Sequence, residues 1–126
     1  LAGSKPVLIG CYDNGKGADA LVACDMELAA HVGAAIADLP ASKARECIAS
    51  GSFSAEMMES LKEFLSVCAS LLTCTGCAPL TLRGTHVQLR QLPPKSVALA
   101  VSPRAQAVFE VEIPAYGTGG MSISVS

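Results

Sequence analysis

The pattern of hydrophobic and polar positions divides the chain into a block of strands, a block of helices and a second block of strands. Residues 7–12 and 20–24 are short apolar runs separated by a turn cluster at 13–17, which predicts a β-hairpin. After Gly76 the period of the pattern changes to two, which is typical of strands. Four further strands are expected, with turns at 103–104 and 116–120; the strands fall at 80–92, 96–101, 107–113 and 121–125.

The helices between these blocks follow from apolar periodicity and capping residues. Asp25 is a candidate N-cap for a first long helix that is expected to run to residue 39, just before a proline. A short helix is expected at 42–50, ending at a glycine. Ser54 is the candidate N-cap of a second long helix that extends to about residue 73. The predicted order of elements is therefore β-β-α-α-α-β-β-β-β.

This order predicts an α+β fold with a largely antiparallel sheet and two long helices packed on one face. The length of 126 residues fits one domain, and a hydrophobic content of 51% is enough to build a core. The chain shows no internal repeat and no linker. A single domain over residues 1–126 is expected, with residues 1–5 either a cloning remnant or a disordered start.

Composition excludes some classes of function. The net charge is −2 and no basic run exceeds two residues, which argues against binding of nucleic acid. No apolar stretch reaches the roughly 18 residues that span a bilayer, and the N-terminus lacks the pattern of a signal peptide. A cytoplasmic protein with six reduced cysteines is expected. Charged residues make up 16%, below the usual quarter, which indicates that a partner covers part of the surface.

The polar side of the second long helix carries the main functional signal. At about 100° per residue, four side chains point away from the apolar stripe and form a narrow ridge, and two of them are carboxylates four residues apart, which repel each other. The ordinary interpretation of such a ridge is a solvated helix face. The ridge consists of Glu59, Glu63, Ser66 and Ser70.

The cysteines and histidines give weaker signals. Cys74 and Cys77 form a C-x-x-C that closes a helix, where the helix dipole raises a thiol pKa and does not activate it. A metal site could recruit Cys68 and His86, but the spacing matches no standard zinc module. Packing is therefore the favoured role of the cysteines, and no metal and no cofactor are expected. His31 lies off the apolar stripe of the first long helix, with no nucleophile placed beside it by a known motif.

The glycines near the C-terminus resemble a phosphate-binding loop by composition alone. Gly117, Gly119 and Gly120 are not followed by Lys and Ser or Thr, and no helix is predicted to begin there. A hairpin turn is the expected structure of this segment.

Taken with the ridge, the order of elements resembles that of a known family. A strand runs into a small-residue helix over 20–39, a helix with a polar ridge follows over 54–73, and the β tail includes Phe109-Glu110-Val111-Glu112-Ile113. This arrangement resembles the CheC/CheX/FliY group of bacterial chemotaxis phosphatases over roughly residues 18–126. The resemblance implies two long helices packed on a sheet, and CheX members of the group pair as dimers.

The resemblance extends to the spacing of the family's active-site motif, which is Asp or Ser, three residues, Glu, two residues and Asn. Glu59, Glu63 and Ser66 occupy these positions here. By resemblance, Glu63 would engage a lysine of a response-regulator receiver domain, and residue 66 would orient the water that attacks the phosphoaspartate. Ser66 departs from the motif because its hydroxyl is shorter than the carboxamide of Asn, and losing one positioned group typically costs orders of magnitude in rate. Glu59 adds an unfavourable carboxylate beside an anionic phosphoryl group.

Three hypotheses follow. The leading one is a non-catalytic or decayed CheX-like signalling module that binds a receiver domain or another signalling protein through the ridge, and that forms a homodimer through a sheet edge or a helix face. The first alternative is an active phosphatase of a phosphorylated receiver domain that uses Glu63 and Ser66. The second alternative is a small-ligand or metal-binding module around Cys68, Cys74, Cys77 and His86.

Overall fold

A computed structural model of the chain describes residues 7–16, 19–72, 80–86, 99 and 103–125. Within these residues the fold is a five-stranded antiparallel sheet with helices packed on it, so the predicted α+β class is confirmed. The elements in chain order are β1 Leu8–Asp13, β2 Asp19–Cys24, α1 Met26–Ile36, α2 Ala41–Ser50, α3 Ala55–Leu72, β3 Thr81–His86, β4 Ala105–Ile113 and β5 Gly117–Val125.

The sheet is assembled from two hairpins and one added strand, in the spatial order β3-β1-β2-β5-β4. The predicted first hairpin is confirmed, with β1 and β2 paired from Leu8↔Cys24 to Asp13↔Asp19. Strand β5 pairs with β2 and with β4, which attaches the second hairpin to one side of the first. Strand β3 pairs with β1 on the other side. The two edges of the described sheet are therefore β3 and β4.

Helices α1 and α3 pack side by side on the same face of the sheet. Leu28 from α1 and Leu61 and Leu65 from α3 are fully buried against Leu8 of β1 and Val22 of β2. Burying a side chain of this size contributes about 1.5–3 kcal/mol. Much of the apolar stripes read from the sequence thus lies in the main core, but Ile36, which the pattern places on the stripe of α1, is 43% exposed. A smaller cluster lies on the opposite face of the sheet and contains Ile9, Cys11, Leu21 and Leu99.

The helix ends follow the predicted capping residues, with one difference. The Asp25 carboxylate accepts from the backbone N–H of Leu28 at 2.9 Å, which confirms the N-cap. The first helix ends at Ile36, three residues earlier than predicted, because Asp38 takes a left-handed conformation (φ 58°) and Leu39 N–H donates to the Ala34 carbonyl. This Schellman turn satisfies the last carbonyls before the proline is reached.

The second and third helices match their predictions more closely. Gly51 ends α2 in a left-handed conformation (φ 72°), as the sequence predicts. The Ser54 hydroxyl accepts from the backbone N–H of Met57 at 3.2 Å, so it caps α3. Helix α3 has 18 residues and is the longest helix of the described chain, whereas α1 has 11.

The predicted hairpin turn at residues 116–120 is wrong. The turn falls at 114–116, and Gly117 to Gly120 form the beginning of β5. These glycines permit close contact between α1 and the strand: a Cβ on Gly119 would lie 2.2 Å from the Leu28 nitrogen, and a Cβ on Gly117 would lie 2.6 Å from Nε2 of His31. The glycines are thus explained by helix-on-strand packing.

Some predictions fall outside the described residues. They are the strand at 96–101 apart from Leu99, the second half of the strand at 80–92, the end of the third helix at residue 73, and the C-x-x-C of Cys74 and Cys77. Leu99 itself is helical, so the strand prediction is wrong at this residue. Among the helices that the structure does describe, none combines the length and the apolar character needed to cross a membrane.

Candidate functional site

The buried side of α3 determines which of its side chains are exposed to solvent. Met57, Leu61, Leu65 and Cys68 are buried against α1 and the sheet. Because a helix turns about 100° per residue, the side chains on the opposite side of α3 point to solvent, whereas Met58 and Phe64 flank the buried stripe and are half-buried. The structure accordingly exposes all four ridge residues that the sequence predicts: Glu59, Glu63, Ser66 and Ser70.

The ridge is strongly anchored to the core through the backbone of α3. The Tyr12 hydroxyl of β1 donates a short hydrogen bond to the Leu65 carbonyl, inside the buried layer between sheet and helix. Burial raises the pKa of Tyr12, so this hydroxyl keeps its proton and remains a donor. Together with the Ser54 cap at the helix start, this bond holds α3 in one orientation. Side chains that project from a fixed helix are suited to partner recognition.

The two carboxylates of the ridge, Glu59 and Glu63, differ in whether a cation lies nearby. Lys62 lies 3.7 Å from a carboxylate oxygen of Glu59, one helical turn away, and both side chains are well exposed. An exposed pair of this kind contributes little to stability, about 0–1 kcal/mol. Glu63 forms no ion pair with any of the residues that the structure describes. Its carboxylate is therefore the ridge charge that is available to a partner's cation.

Val67 is a feature of this face that sequence reasoning missed. It lies one turn after Glu63, and its side chain is 62% exposed, the highest value among the large exposed hydrophobic residues of the described chain. The Ser70 hydroxyl donates to the Val67 carbonyl at 2.8 Å, which places the hydroxyl over this part of the helix. The signal was present in the sequence, since Val67 lies off the apolar stripe and between two ridge positions. Val67 therefore adds one exposed apolar side chain to an otherwise polar ridge.

The histidine and cysteine candidates are not brought to the ridge. Cys68 is buried on the inner face of α3, and burial raises the pKa of its thiol. His86 lies on β3 opposite Ile9 of β1. Among the described residues, no group of three or more His, Cys, Asp and Glu side chains could hold a metal ion. Cys74 and Cys77 lie outside these residues, so the proposed four-residue set stays a prediction.

His31 is buried, although its sequence position is off the apolar stripe of α1. It is 7% exposed and lies against Gly117 because the second hairpin covers that side of the helix. Within the described structure its Nδ1 atom has no hydrogen-bond partner. The imidazole is thus part of the contact between α1 and β5.

A concave feature lies between α2 and the start of α3. Its volume is about 300 Å³, and its lining includes Lys43, Glu46, Cys47 and Met57. The Cys47 thiol lies 3.2 Å from the Met57 sulfur, and the Lys43 ammonium pairs with Glu46 at 3.2 Å. The sulfur contact joins α2 to α3, and the ion pair lies within α2. None of the predicted site residues lies in it.

Comparison of the chain with protein-family models, with curated proteins and with solved structures found no match.

Proposed function

We propose that this chain is a CheX-like signalling module that acts by binding a partner through the outward face of α3. The binding face is defined as Glu59, Glu63, Ser66, Val67 and Ser70. The exposed Val67 beside the unpaired Glu63 is the observation that carries the proposal, because an apolar group next to a free carboxylate offers both contact area and charge recognition. The exposed position of the ridge and the rigid anchoring of α3 support it.

The partner that fits this face presents a lysine or arginine beside an apolar side chain. A response-regulator receiver domain is proposed, on the spacing of Glu59, Glu63 and Ser66 and the resemblance described above. Both proteins would meet in the cytoplasm. Two helices on one face of an antiparallel sheet support a CheX-like arrangement as the finer description of the fold.

The face favours binding over catalysis. Each ridge side chain is exposed on a convex helix surface, where water screens its charge and would surround any reacting group. Ser66 presents a short hydroxyl at the position where the phosphatase motif has a longer carboxamide. Phosphatase activity towards a phosphorylated receiver domain, with Glu63 and Ser66 in modified roles, is the second candidate function.

The proposal is tested by titrating the purified chain into fluorescently labelled receiver domains from the same organism, with and without beryllofluoride as a phosphoryl mimic. Val67→Asp and Glu63→Lys should each raise Kd by roughly tenfold or more, as expected for the centre of an interface. The matched control is Glu46→Lys, which makes the same charge change on the exposed side of α2 and should leave Kd unchanged.

Two results would overturn the proposal. One is the absence of binding to any of the receiver domains at concentrations up to about 1 mM, the weak limit for a specific contact. The other is binding that the two ridge variants leave intact while Glu46→Lys weakens it, since this would place the contact on α2.

A further inference from the structure

Two sulfur atoms meet where α2 packs against the first turn of α3. The Cys47 thiol donates to the Met57 thioether, with 3.2 Å between Sγ and Sδ. Cys47 belongs to α2, and Met57 lies near the start of α3. A thiol is a weak donor and a thioether is a weak acceptor, so both sulfurs keep lone pairs that a stronger partner can use.

Cys47 differs from the other cysteines that the structure describes. Cys11, Cys24 and Cys68 are buried, whereas Cys47 is half-buried. Both Cys47 and Met57 line the groove between α2 and α3, whose volume of about 300 Å³ far exceeds the space that one water molecule needs, about 10–15 Å³. A small ion can therefore reach the two sulfurs while the chain stays folded.

The rest of the Met57 side chain is held by the core. The residue is 1% exposed, and its methyl group lies against α1, where a Cβ on Gly33 would be 3.2 Å from the Met57 Cε atom. Because the methyl group contacts α1 while Sδ contacts Cys47 on α2, the thioether has a defined position at the groove. A ligand atom that is already in place loses little conformational entropy when a metal binds.

The charged groups of the groove favour a cation over an anion. The lining includes two carboxylates and one ammonium group, and the ammonium of Lys43 is paired with Glu46 at 3.2 Å. The remaining carboxylate belongs to Glu56, which forms no ion pair with any residue that the structure describes. A groove lined by an excess of one charge attracts small ions of the opposite charge.

We propose that Cys47 and Met57 form a binding site for the soft monovalent cation Cu(I). Thiolate and thioether sulfurs select Cu(I), whereas Mg²⁺ and Ca²⁺ need oxygen ligands. Structural Zn²⁺ is bound by four ligands, and the described residues contain no group of three or more His, Cys, Asp and Glu side chains that could hold a metal. Cu(I) has a filled d shell and is stable with two sulfur ligands, so this pair is sufficient for it.

Binding replaces the thiol proton with the metal. The S–H bond of Cys47 breaks, the thiolate binds Cu(I), and the proton is released to solvent, so no electron is transferred. A metal–thiolate bond is about 2.3 Å long in zinc sites, so the two sulfurs must move further apart than 3.2 Å. The unbranched Met57 side chain permits this movement. The bound ion then connects α2 to α3 through two coordinate bonds.

The copper site is independent of the binding face of α3, because it shares no residue with that face and requires no receiver domain. Failure of one proposal therefore leaves the other standing.

NMR of the chain labelled at its methionine methyl groups tests the site, with Ag(I) as a soft ion that does not change its oxidation state. The chain has four methionines, and Met57→Leu identifies the Met57 signal. Ag(I) should shift this signal and leave that of Met58, which packs in the main core, unchanged. Because the thiols of Cys74 and Cys77 also bind soft metals, the titrations use the full chain with Cys74→Ser and Cys77→Ser.

Competition with the Cu(I) chelator bicinchoninate, without oxygen, measures the affinity in the same background. Cys47→Ser and Met57→Leu should each raise Kd by roughly tenfold or more, because each removes one of two ligands and even the groups around a metal's ligands usually contribute this much. Met58→Leu is the matched control and should leave Kd unchanged, since it makes the same volume-conserving substitution one position further along α3. Far-UV circular dichroism shows that each variant is folded.

Three results would overturn the inference. The first is a Met57 methyl signal that Ag(I) leaves in place. The second is a Cu(I) affinity that the folded Cys47→Ser and Met57→Leu variants leave unchanged. The third is equal weakening by Met57→Leu and Met58→Leu, because the affinity would then follow the packing of α3 and not the sulfur of Met57.

Discussion

Gly119 of β5 lies so close to Leu28 of α1 that a Cβ on the glycine would come within 2.2 Å of the Leu28 backbone nitrogen. That nitrogen is also the donor to the Asp25 cap. The first turn of α1 therefore rests on the backbone of the strand, with no room for a side chain between them. This contact fixes the height of the helix above the sheet.

Gly119→Ala should consequently be among the most destabilising small substitutions in the chain. Because the obstacle is backbone and cannot rotate away, we expect the free energy of unfolding to fall by about 3 kcal/mol, the upper end of the range for overpacking. Gly15→Ala is the control. Gly15 has φ 70° but open space around it, so its loss should be about 1 kcal/mol from the left-handed conformation alone. Urea denaturation measures both, and equal losses would contradict the packing argument.

Asp25 joins the same helix start to the same strand. One carboxylate oxygen accepts from Leu28 N–H at 2.9 Å, and the other accepts from Gly120 N–H at 2.8 Å, in a site that is 7% exposed. Asp25→Ala leaves two buried amides unpaired, so we expect a loss of about 3 kcal/mol in stability. Ser54→Ala removes an exposed cap that serves one helix only and should cost about 1 kcal/mol. Thermal or urea unfolding of the two variants compares them, and similar losses would show that the bond to Gly120 contributes little.

The local features of the fold could be predicted from the sequence, and the long-range ones could not. Asp25, Gly51 and Ser54 act within a few residues of themselves, and each caps the helix end that the pattern assigned to it. The glycines of β5 depend on α1, about ninety positions earlier in the chain. Their composition is typical of a turn, and only the three-dimensional packing shows that they belong to a strand. The early end of α1 is similar, since a left-handed aspartate at position 38 competes with a helix that could have continued to the proline.

The ridge was predictable for the same reason that the caps were. Helical periodicity alone determines that Glu59, Glu63, Ser66 and Ser70 share a face, and the structure exposes all four. Periodicity also places Val67 on this outward side, but the extent of its exposure could be determined only from the structure. The position of β4 at an edge of the described sheet could not be predicted, because it depends on how the strands order themselves in space.

The buried thiol of Cys24 gives the protein an alkaline stability limit. Burial, with smaller contributions from the neighbouring Cys68 and Asp25, raises the pKa of Cys24 from 9.0 to about 12. The thiol ionises near pH 9 in the unfolded chain but only near pH 12 in the folded one, so its contribution is complete below pH 9 and is lost between pH 9 and 12. For this group alone, stability should fall by roughly 1 kcal/mol between pH 8 and 10.

Urea denaturation of the wild type and of Cys24→Ala at pH 8 and pH 10 measures this loss. The variant is less stable at both pH values because it leaves a cavity, but its decrease between them should be smaller than the wild-type decrease by roughly 1 kcal/mol. Equal decreases would show that Cys24 ionises alike in both states.

The proposal that the ridge binds a partner without catalysis predicts that restoring the motif creates phosphatase activity. If the α3 ridge is a decayed phosphatase site, Ser66→Asn together with Glu59→Asp restores the motif around Glu63. The wild type should leave the loss of phosphate from a phosphorylated receiver domain unchanged, and the double variant should accelerate it by up to about 100-fold, the usual effect of one positioned group. Ser70→Asn with Glu59→Asp is the matched control, because it places the same amide one turn further along the exposed face, out of register with Glu63.

Acceleration by the wild type that Glu63→Ala abolishes would instead establish the phosphatase hypothesis. A double variant that binds the receiver domain without accelerating phosphate loss would show that the likeness to the phosphatases covers recognition and stops short of their chemistry.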